Sequence, residues 1–461
     1  HRFLEGTLIA AKLVDAEKCY LYIRDEYYGL IKLIENKIKK LIKNKIIPDN
    51  FLEIRRGAGA YICGEESALI ESIEGKRGLP RNRPPYVAEV GLFGKPTLVH
   101  NVETVYWIRE IFEKGGKWFS SHGRNGRKGL RTFSVSGFVK NPGIKLTDAG
   151  ITINQLIEEH CGGMLKGHRF KGYLPGGASG GILPASLGDI PLDFDTLQEY
   201  DCFIGSAAIV VLSDKINMKE IGLNLMRFFE DESCGQCTPC RNGTSMAVKL
   251  MKQKSWNKEL LTELSKTMNK ASICGLGQAA PNPLQFKING SELSANKDES
   301  IWQAAKRNNI DIPHLCHADE VGYDPNGNCR ACVVQVKGER TMAASCIRKP
   351  SEGMEVDTIS KDVNDTQKII FELLAADQPC KENHPDPESK FWQWGEKIGL
   401  NENRFPKNKS VQKDISHPSM NVNLEACINC NLCVRACRDV QSNDVIGMAY
   451  RGYESKVIFD F

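Results

Sequence analysis

Three groups of four cysteines have the spacing of residues that hold iron–sulfur clusters. Together they account for twelve of the seventeen cysteines in the chain. The groups are, in order, Cys234, Cys237, Cys240 and Cys274; Cys316, Cys329, Cys332 and Cys346; and Cys427, Cys430, Cys433 and Cys437. Thiolate sulfur binds redox-active iron, so three such groups in one polypeptide predict a path for electrons.

Disulfides and structural zinc are the other common uses of clustered cysteines. Disulfide-dense scaffolds are small, whereas 461 residues can bury a core without staples, and we expect no secretory leader because no segment has that pattern. Zinc sites usually close one tetrahedron with two paired knuckles. Three close thiolates with a distant fourth suit a four-iron cluster better, so a zinc-stabilised scaffold is the weaker hypothesis.

The first group predicts a four-iron, four-sulfur cluster. Its two C-x-x-C steps share Cys237, so three thiolates come from one short segment. Gly235, Thr238 and Pro239 predict that this segment is a loop and not a packed helix face. Cys274 must then return to the same cluster from the end of a helical hairpin.

The second group predicts a two-iron, two-sulfur cluster. Its gaps of twelve, two and thirteen residues differ from the plant-type ferredoxin spacing, in which the first gap is four residues. Four thiolates in loops around a β-grasp sheet nevertheless suffice to hold such a cluster. Gly327 and Asn328 permit the sharp turn that would bring backbone amides toward the sulfurs.

The third group is the run C-x2-C-x2-C-x3-C of bacterial ferredoxins, which predicts another four-iron cluster. In two-cluster ferredoxins the fourth cysteine of this run binds the other cluster, so Cys437 would belong elsewhere. A partner run does not occur before Phe461, and Arg438 replaces the usual proline. We expect that the chain stops short of a second run; a one-cluster variant is the alternative.

The elements that must position these cysteines follow from hydrophobic periodicity and glycine placement. Residues 1–125 alternate helix and strand, which predicts a parallel or mixed α/β layer, and their lysine-rich stretch is typical of an amphipathic helix. Residues 216–285 predict helices. The strand FKING at 286, the helix ESIWQAAKRNN and the strand CVVQV predict a small β-grasp domain, and helical segments with a polar linker follow over 361–410.

Composition limits the class of protein. The hydrophobic fraction of 41% and the charged fraction of 26% are ordinary for a globular chain. No apolar run approaches the roughly 20 residues needed to cross a bilayer, and a net charge of +4 is too weak to indicate nucleic acid. Free cysteines in this number indicate a reducing compartment, so we expect a cytoplasmic protein with no membrane span.

Several long motifs resemble a known family. GAYICGEESALIESIEGKRGLPRNRPPY, TLVHNVET and ESCGQCTPCRNGT resemble the flavin- and NADH-binding subunit of respiratory complex I. That family includes the diaphorase subunits of NAD-dependent formate dehydrogenases and NAD-reducing hydrogenases, and ASICGLGQAAPNPL most resembles the formate dehydrogenase branch. From residue 286 the chain is similar to the N-terminal iron–sulfur region of the molybdenum-containing catalytic subunit, through GNCRAC, ERTMAASCIR and ACINCNLCVRACRDVQSNDVIGMAYRG.

The resemblance implies FMN and NAD as cofactors, together with the residues that contact them. The family's second flavin loop falls on Tyr61, Gly64, Glu65 and Glu66, its VNNVET loop on Val99, His100, Asn101 and Thr104, and an aromatic residue facing the nicotinamide on Tyr86. His100 stands where complex I usually has Asn. Glu65 and Glu66 would accept hydrogen bonds from ribityl or ribose hydroxyls. Without the resemblance, they would be an ordinary acidic helix start favoured by the helix dipole.

The implied fold class is a multidomain chain of α/β and α+β type. Its parts are a partial flavin- and NADH-binding α/β domain (1–128), an SLBB-like β-grasp domain (129–215), a helical 4Fe-4S domain (216–285), a 2Fe-2S ferredoxin-like β-grasp domain (286–360), a helical linker region (361–410) and a truncated bacterial ferredoxin-like 4Fe-4S segment (411–461). The family's first glycine-rich flavin loop would precede His1, and molybdenum-binding domains would follow Phe461. The two halves would join at Pro283–Lys287 with almost no linker.

The implied function is electron transfer in a cytoplasmic NAD-dependent formate dehydrogenase. Hydride would pass between NAD(H) and FMN, which exchanges hydride for single electrons, and the clusters would carry those electrons from the first group through the second to the third. The expected partners are a molybdenum-containing catalytic portion and a small 2Fe-2S thioredoxin-like subunit. The alternatives are the NADH-input arm of complex I, that of an NAD-reducing hydrogenase, and a noncatalytic relay module.

Overall fold

The computed structural model describes residues 1–57, 59–253, 255–281, 299–307, 310–318, 323–350, 354–401, 403–407, 414–417 and 420–459. The chain divides into two compact units, His1–Asn217 and Met218–Phe461. The predicted strand FKING and the predicted junction at Pro283–Lys287 lie outside the described residues. The division into six smaller domains stays a prediction.

Helices are numbered in chain order over the described residues. They are α1 (Arg2–Leu13), α2 (Tyr28–Lys43), α3 (Glu66–Ile73), α4 (Val102–Lys114), α5 (Gly116–Ser120), α6 (Ile153–Gln155), α7 (Met218–Glu232), α8 (Thr238–Met251), α9 (Lys258–Ala271), α10 (Gly275–Ala279), α11 (Ile301–Arg307), α12 (Lys361–Ala375), α13 (Lys390–Lys397) and α14 (Leu432–Arg435). Short 3-10 and π turns occur between several of them. Among these described residues, no helix is both long and apolar enough to cross a membrane.

Strands are numbered in the same way. They are β1 (Cys19–Arg24), β2 (Leu52–Gly57), β3 (Leu130–Gly137), β4 (Gly143–Asp148), β5 (Phe170–Leu174), β6 (Leu183–Pro184), β7 (Ala208–Ser213), β8 (Val333–Val336), β9 (Ala343–Ala344), β10 (Val356–Asp357), β11 (Asp414–His417), β12 (Met420–Val422), β13 (Ile446–Ala449) and β14 (Lys456–Phe459). They form separate small sheets, so the chain is of mixed α/β type, as predicted.

The first unit begins with a small α/β layer. β1 and β2 pair in parallel, with Leu21 opposite Ile54. α2 buries Ile34 and Ile38 in the core beside these strands, while most of its lysines are exposed. The parallel pairing and the amphipathic form of α2 confirm the two predictions made from periodicity.

The rest of the first unit contains a five-stranded mixed sheet. Its strand order is β4-β3-β7-β5-β6, in which only β3 and β7 pair in parallel. Phe133 of β3 and Tyr173 of β5 are fully buried in its core, together with Leu156. The short helix α6 contributes Ile153 to the same core, so this part of the first unit is of α+β type. The SLBB-like β-grasp assignment stays a prediction.

The second unit contains all three cysteine groups. It is helical over α7 to α10, as predicted, and α8 and α9 pack as a hairpin through Leu250 and Leu264. A three-stranded antiparallel sheet follows in the order β10-β8-β9. Phe371 of α12 packs in the core that also contains Val333 of β8. The antiparallel β13–β14 hairpin lies near the end of the described chain.

Candidate iron–sulfur and flavin sites

The first cysteine group lies at the junction of α7 and α8. Cys234 lies in the short irregular segment after α7, and Cys237 is the residue before α8. α8 begins at Thr238 with Pro239 in its first turn, where the missing proline N–H has no helical partner to lose. The prediction of a loop is therefore wrong after Cys237. Pro239 favours the start of a helix, and most residues of α8 are buried.

Cys274 completes the first group from the far end of the α8–α9 hairpin, as predicted. It directly precedes α10, and the backbone N–H groups of Leu276 and Gly277 donate to its sulfur. Burial raises the pKa of the Cys274 thiol to about 12, and burial also raises the pKa of Cys240. Cys234 and Cys237 add to both shifts, and Cys274 adds to that of Cys240. The four sulfurs therefore form one electrostatic set, which bound cations would stabilise as thiolates.

The sulfurs of the second group form two hydrogen-bonded pairs, Cys316 with Cys329 and Cys332 with Cys346. All four cysteines are buried. The hydrogen bond with Cys316 and backbone N–H groups such as that of Ala331 lower the pKa of Cys329 to about 6, against the opposing effect of burial. A two-iron cluster holds two thiolates on each iron, so two pairs of sulfurs fit such a cluster.

The sharp turn predicted before Cys329 is present. Gly327 has a φ of 64°, in the left-handed region that favours glycine. A Cβ at this position would meet Ile347 Cδ1 at 2.5 Å. Asn328 is buried, and its carbonyl accepts a hydrogen bond from the Thr238 N–H at 3.3 Å.

The third group surrounds the short helix α14. Cys427 and Cys430 precede the helix, and Cys433 lies within it. Cys437 follows and is buried, and its sulfur accepts a hydrogen bond from the Val445 N–H at 3.2 Å. Cys433 interacts electrostatically with both Cys427 and Cys437. Cys437 therefore lies beside its own run, and the cluster that it binds stays a prediction.

The donor sets fit the clusters that the motifs imply. Each group offers four thiols, and all of them except that of Cys234 are either buried or carry a pKa raised by burial. In the part of the chain that is described, no three His, Cys, Asp or Glu side chains are spaced to hold a single metal ion. A cluster of several irons spreads its cysteine ligands more widely than one tetrahedral zinc ion does. Zinc as the bound metal stays the alternative prediction.

Each cysteine group also contains a buried arginine that the spacing rules did not predict. Arg241, Arg330 and Arg435 are 3%, 5% and 8% exposed. Arg330 donates from Nε to the Ala271 carbonyl at 2.6 Å, and Arg435 donates to the carbonyl of Cys316. The sequence signal that could have identified these arginines is their position inside or directly after each cysteine run. A buried cation needs a partner of opposite charge, and thiolates supply it there.

Contacts within the second unit join the three groups to one another. The Thr238–Asn328 hydrogen bond links the first group to the second. Cys430 of the third group packs against the core that contains Cys329, and the two sulfurs interact electrostatically. The Ser455 carbonyl accepts a hydrogen bond from Asn429 Nδ2, which belongs to the third group, at 3.0 Å. Each group therefore adjoins at least one other.

Glu65 of the predicted flavin loop caps helix α3. Its Oε2 accepts from the N–H groups of Ser67 and Ala68 at 3.0 and 2.9 Å and from the Ser67 hydroxyl at 2.6 Å. Arg83 donates to its Oε1 and also pairs with Glu66 at 2.8 Å. The alternative prediction of an acidic helix start is therefore confirmed, and contact with a flavin stays a prediction.

The other residues predicted to contact FMN or NAD lie mostly at the surface of the first unit. Asn101 is the N-cap of α4 and accepts from the Thr104 N–H at 2.9 Å. The Tyr61 hydroxyl forms a hydrogen bond with Ser179 Oγ at 2.9 Å. The remaining positions are Gly64, Tyr86 and His100, which are exposed, and Val99, which is half-buried. Their roles toward the cofactors stay predictions.

Comparison with known families assigns cofactor-binding regions along the chain. Residues 1–110 match the Nuo51 FMN-binding domain. Residues 220–290 match the NADH-ubiquinone oxidoreductase-F iron–sulfur binding region, and residues 281–361 match a 2Fe-2S iron–sulfur cluster binding domain. These regions define an iron–sulfur flavoprotein, with the first and second cysteine groups inside the matched parts. The third group lies beyond residue 361.

Individual relatives place the chain more closely. It is 38% identical over 321 residues to the F-type subunit of NADH-quinone oxidoreductase from Rickettsia felis, covering 66% of this chain and 76% of that protein. It is 40% identical over 304 residues to the mitochondrial NADH dehydrogenase [ubiquinone] flavoprotein 1 of Dictyostelium discoideum, covering 62% of this chain and 64% of that protein. The chain belongs to the family of F-type subunits of NADH-quinone oxidoreductase.

A solved structure is also similar. An NAD+-reducing [NiFe]-hydrogenase in the H2-reduced state matches with a TM-score of 0.56 and 34% sequence identity. The match covers 61% of this chain and 49% of the hydrogenase chain. The matched part of this chain therefore has a fold similar to that of part of an NAD+-reducing hydrogenase.

Proposed function

We propose that this chain is the NAD(H)-facing electron-transfer part of a cytoplasmic NAD-dependent formate dehydrogenase. FMN, when bound, would supply the exchange between two-electron hydride and one-electron steps. The first unit would hold the flavin and NAD(H), and the second unit would hold three iron–sulfur clusters. Family membership supports the flavin and the first two clusters, while formate is inferred from the motifs quoted above.

The arrangement of the three cysteine groups is the observation that carries this proposal. All twelve cysteines lie in the second unit, and hydrogen bonds such as Thr238 to Asn328 connect the segments that present them. Short distances between redox centres are what a relay requires. A scaffold that used the cysteines for stability alone would not need each cysteine group to adjoin another.

The residues of the chain have distinct tasks in this proposal. Glu65 and Asn101 fix the starts of α3 and α4, and so hold the predicted flavin loops in place. Buried arginines oppose the negative charge of the thiolates in each cysteine group. Backbone N–H groups at Cys274 and Cys329 stabilise thiolate sulfur by hydrogen bonding.

Formate is favoured as electron donor because the region after residue 286 resembles a molybdenum formate dehydrogenase. The partners would then be its molybdenum-containing catalytic portion and a small 2Fe-2S thioredoxin-like subunit. A second candidate is the diaphorase part of an NAD-reducing hydrogenase, which the structural match favours. The NADH-input arm of complex I is a third, which the sequence relatives favour.

Anaerobic purification and iron analysis test the relay. The protein should be brown and release sulfide on acid treatment, and Cys274→Ser should lose about four irons per chain. Cys202→Ser is the matched control, because Cys202 is buried outside the three groups and should leave the iron content unchanged. A colourless protein without acid-labile sulfide contradicts the proposal.

Turnover assays separate the candidate functions. Bound FMN with NADH-dependent ferricyanide reduction supports the NAD(H)-facing role, and its absence supports a noncatalytic relay. NADH formation by the complete complex from formate supports the formate dehydrogenase. Formation of NADH from hydrogen, or reduction of quinone by NADH, supports the second or third candidate and overturns formate as donor.

A further inference from the structure

Arg241 is a buried cation in the first turn of α8, directly after Cys240. Its Nη1 donates to the Gly235 carbonyl at 3.0 Å, and its Nη2 donates to the Thr238 hydroxyl at 3.3 Å. Both acceptors lie within the segment that presents the first three thiols. The guanidinium is therefore held in a fixed place beside the first group, with almost no access to bulk water.

Arg241 also acts on the third group. It interacts electrostatically with Cys234 and Cys237 of the first group and with Cys427 of the third. The same attraction to Arg241 favours the thiolate form of Cys427. One buried cation therefore faces sulfurs of two different groups, and its charge is screened little by solvent.

The turn at residues 452–455 explains how the two groups come so close. A Cβ on Gly235 would meet Ser455 Oγ at 2.3 Å and the Gly452 carbonyl at 2.8 Å. Asn429, two residues after Cys427, donates to the Ser455 carbonyl at 3.0 Å. The turn thus touches the first group on one side and the third group on the other.

Asp377 is the counter-charge of this region. It accepts a hydrogen bond from Asn242 Nδ2 at 2.6 Å and another from the Tyr453 hydroxyl. It interacts electrostatically with Arg241 and with Lys249, which also lies on α8. A buried cation and a half-buried anion therefore interact in this region.

We propose that Arg241 is a positioning and tuning residue shared by the first and third cysteine groups, and that it raises the reduction potentials of the clusters that both groups hold. This inference rests on the proposed function, because both groups must hold redox-active iron. Reduction adds one electron, and thus one negative charge, to a cluster. A fixed cation in a site of low dielectric stabilises the reduced form, so it favours electron uptake at both groups.

Potentiometric titration with dithionite, followed by low-temperature EPR at pH 7.5, tests the proposal. The reductant supplies one electron to each cluster, and neither NAD(H) nor formate is needed. Arg241→Met should shift the signals of the first and third groups to lower potential together. We expect about a tenfold change in the ratio of reduced to oxidised cluster, or about 59 mV for a one-electron couple. Cys274→Ser and Cys430→Ser assign the two signals.

Two further variants separate charge from packing. Arg241→Lys keeps the cation but loses the two-pronged hydrogen bonding, so the potentials should return toward those of the parent. Asp377→Asn removes the opposing anion and should shift both signals to higher potential. Asp377→Asn also keeps the test available if Arg241→Met fails to fold.

Arg330→Met is the matched control for loss of a buried arginine. Arg330 acts electrostatically on Cys332, so this variant should shift the two-iron signal and leave the third-group signal unchanged. The Arg241 proposal is overturned if reducible clusters are present and Arg241→Met moves neither four-iron signal, or only that of the first group. Absence of iron and sulfide from the parent protein would instead overturn the proposed function.

Discussion

Arg435 donates a hydrogen bond from Nη2 to the backbone carbonyl of Cys316, and so ties the third cysteine group to the second. Its Nη1 donates to the carbonyl of Asp324. Arg435 is buried, whereas Arg438, one turn later in the same run, is exposed. The two arginines of this run therefore have different roles, which the sequence alone does not distinguish.

Replacing Arg435 with Met should destabilise the second unit by about 1–3 kcal/mol, because the buried Cys316 carbonyl and the Asp324 carbonyl both lose their donor. Urea unfolding followed by fluorescence and iron release measures the effect. Arg438→Met is the control, because its pair with Asp444 is exposed and such substitutions usually change stability by less than about 0.5 kcal/mol. Equal stability of the two variants would contradict this role for Arg435.

Glu65→Ala should destabilise the first unit by about 1 kcal/mol, because the start of α3 loses its N-cap. Glu66→Ala is the control, because Glu66 is the next residue, is more exposed and does not cap the helix. Thermal unfolding and FMN retention are measured together. Loss of FMN without loss of stability would show that Glu65 contacts the flavin and is not mainly a cap.

Gly235→Ala should destabilise the second unit by about 1–3 kcal/mol. Gly235 has a φ of 81°, and a Cβ there would collide with Ser455 and Gly452. Gly275→Ala is the control, because a Cβ on Gly275 meets no atom within 4 Å. Urea midpoints and the iron content of both variants are compared. An unchanged midpoint in Gly235→Ala would show that the 452–455 turn is not held against the first group.

The raised pKa of Asp377 predicts that the free energy of unfolding depends on pH. Burial raises its pKa from an ordinary value of 3.8 to about 6, although Arg241 and Lys249 oppose the shift. The folded state then binds the proton more tightly than the unfolded state does. The stabilisation from this group is complete below about pH 4 and is lost as the pH rises through about 6.

The Asp377→Asn variant tests the predicted direction of this pH dependence. The amide carries no charge, so the stability of the variant relative to the parent should increase from pH 5 to pH 7 and stay level above pH 7. The increase over this range is on the order of 1 kcal/mol. Unfolding midpoints across this pH range provide the measurement. A constant difference between variant and parent would show that the folded carboxyl has an ordinary pKa.

Local secondary structure was predictable along much of the chain. The helix α2 follows from the spacing of Ile31, Ile34 and Ile38, and the parallel pairing of β1 and β2 follows from alternation of helix and strand. The position of Cys274 at the end of a helical hairpin was also predictable. Helical sequence separates Cys240 from Cys274, so a hairpin is needed to bring the fourth ligand back to the other three. The start of α8 at Thr238 was not predicted, because the nearby glycine favours a loop and obscures the helix-starting preference of Pro239.

The sequence by itself determined which residues are able to bind iron, because thiol chemistry and ligand spacing are local properties. It also determined the family, through long motifs around Glu65 and Cys234. Only the tertiary structure decided that Arg241 faces Cys427, that Arg435 reaches Cys316 and that Asp377 meets Tyr453. These partners are far apart along the chain, and their pairing depends on how helices and turns pack, which no local pattern encodes.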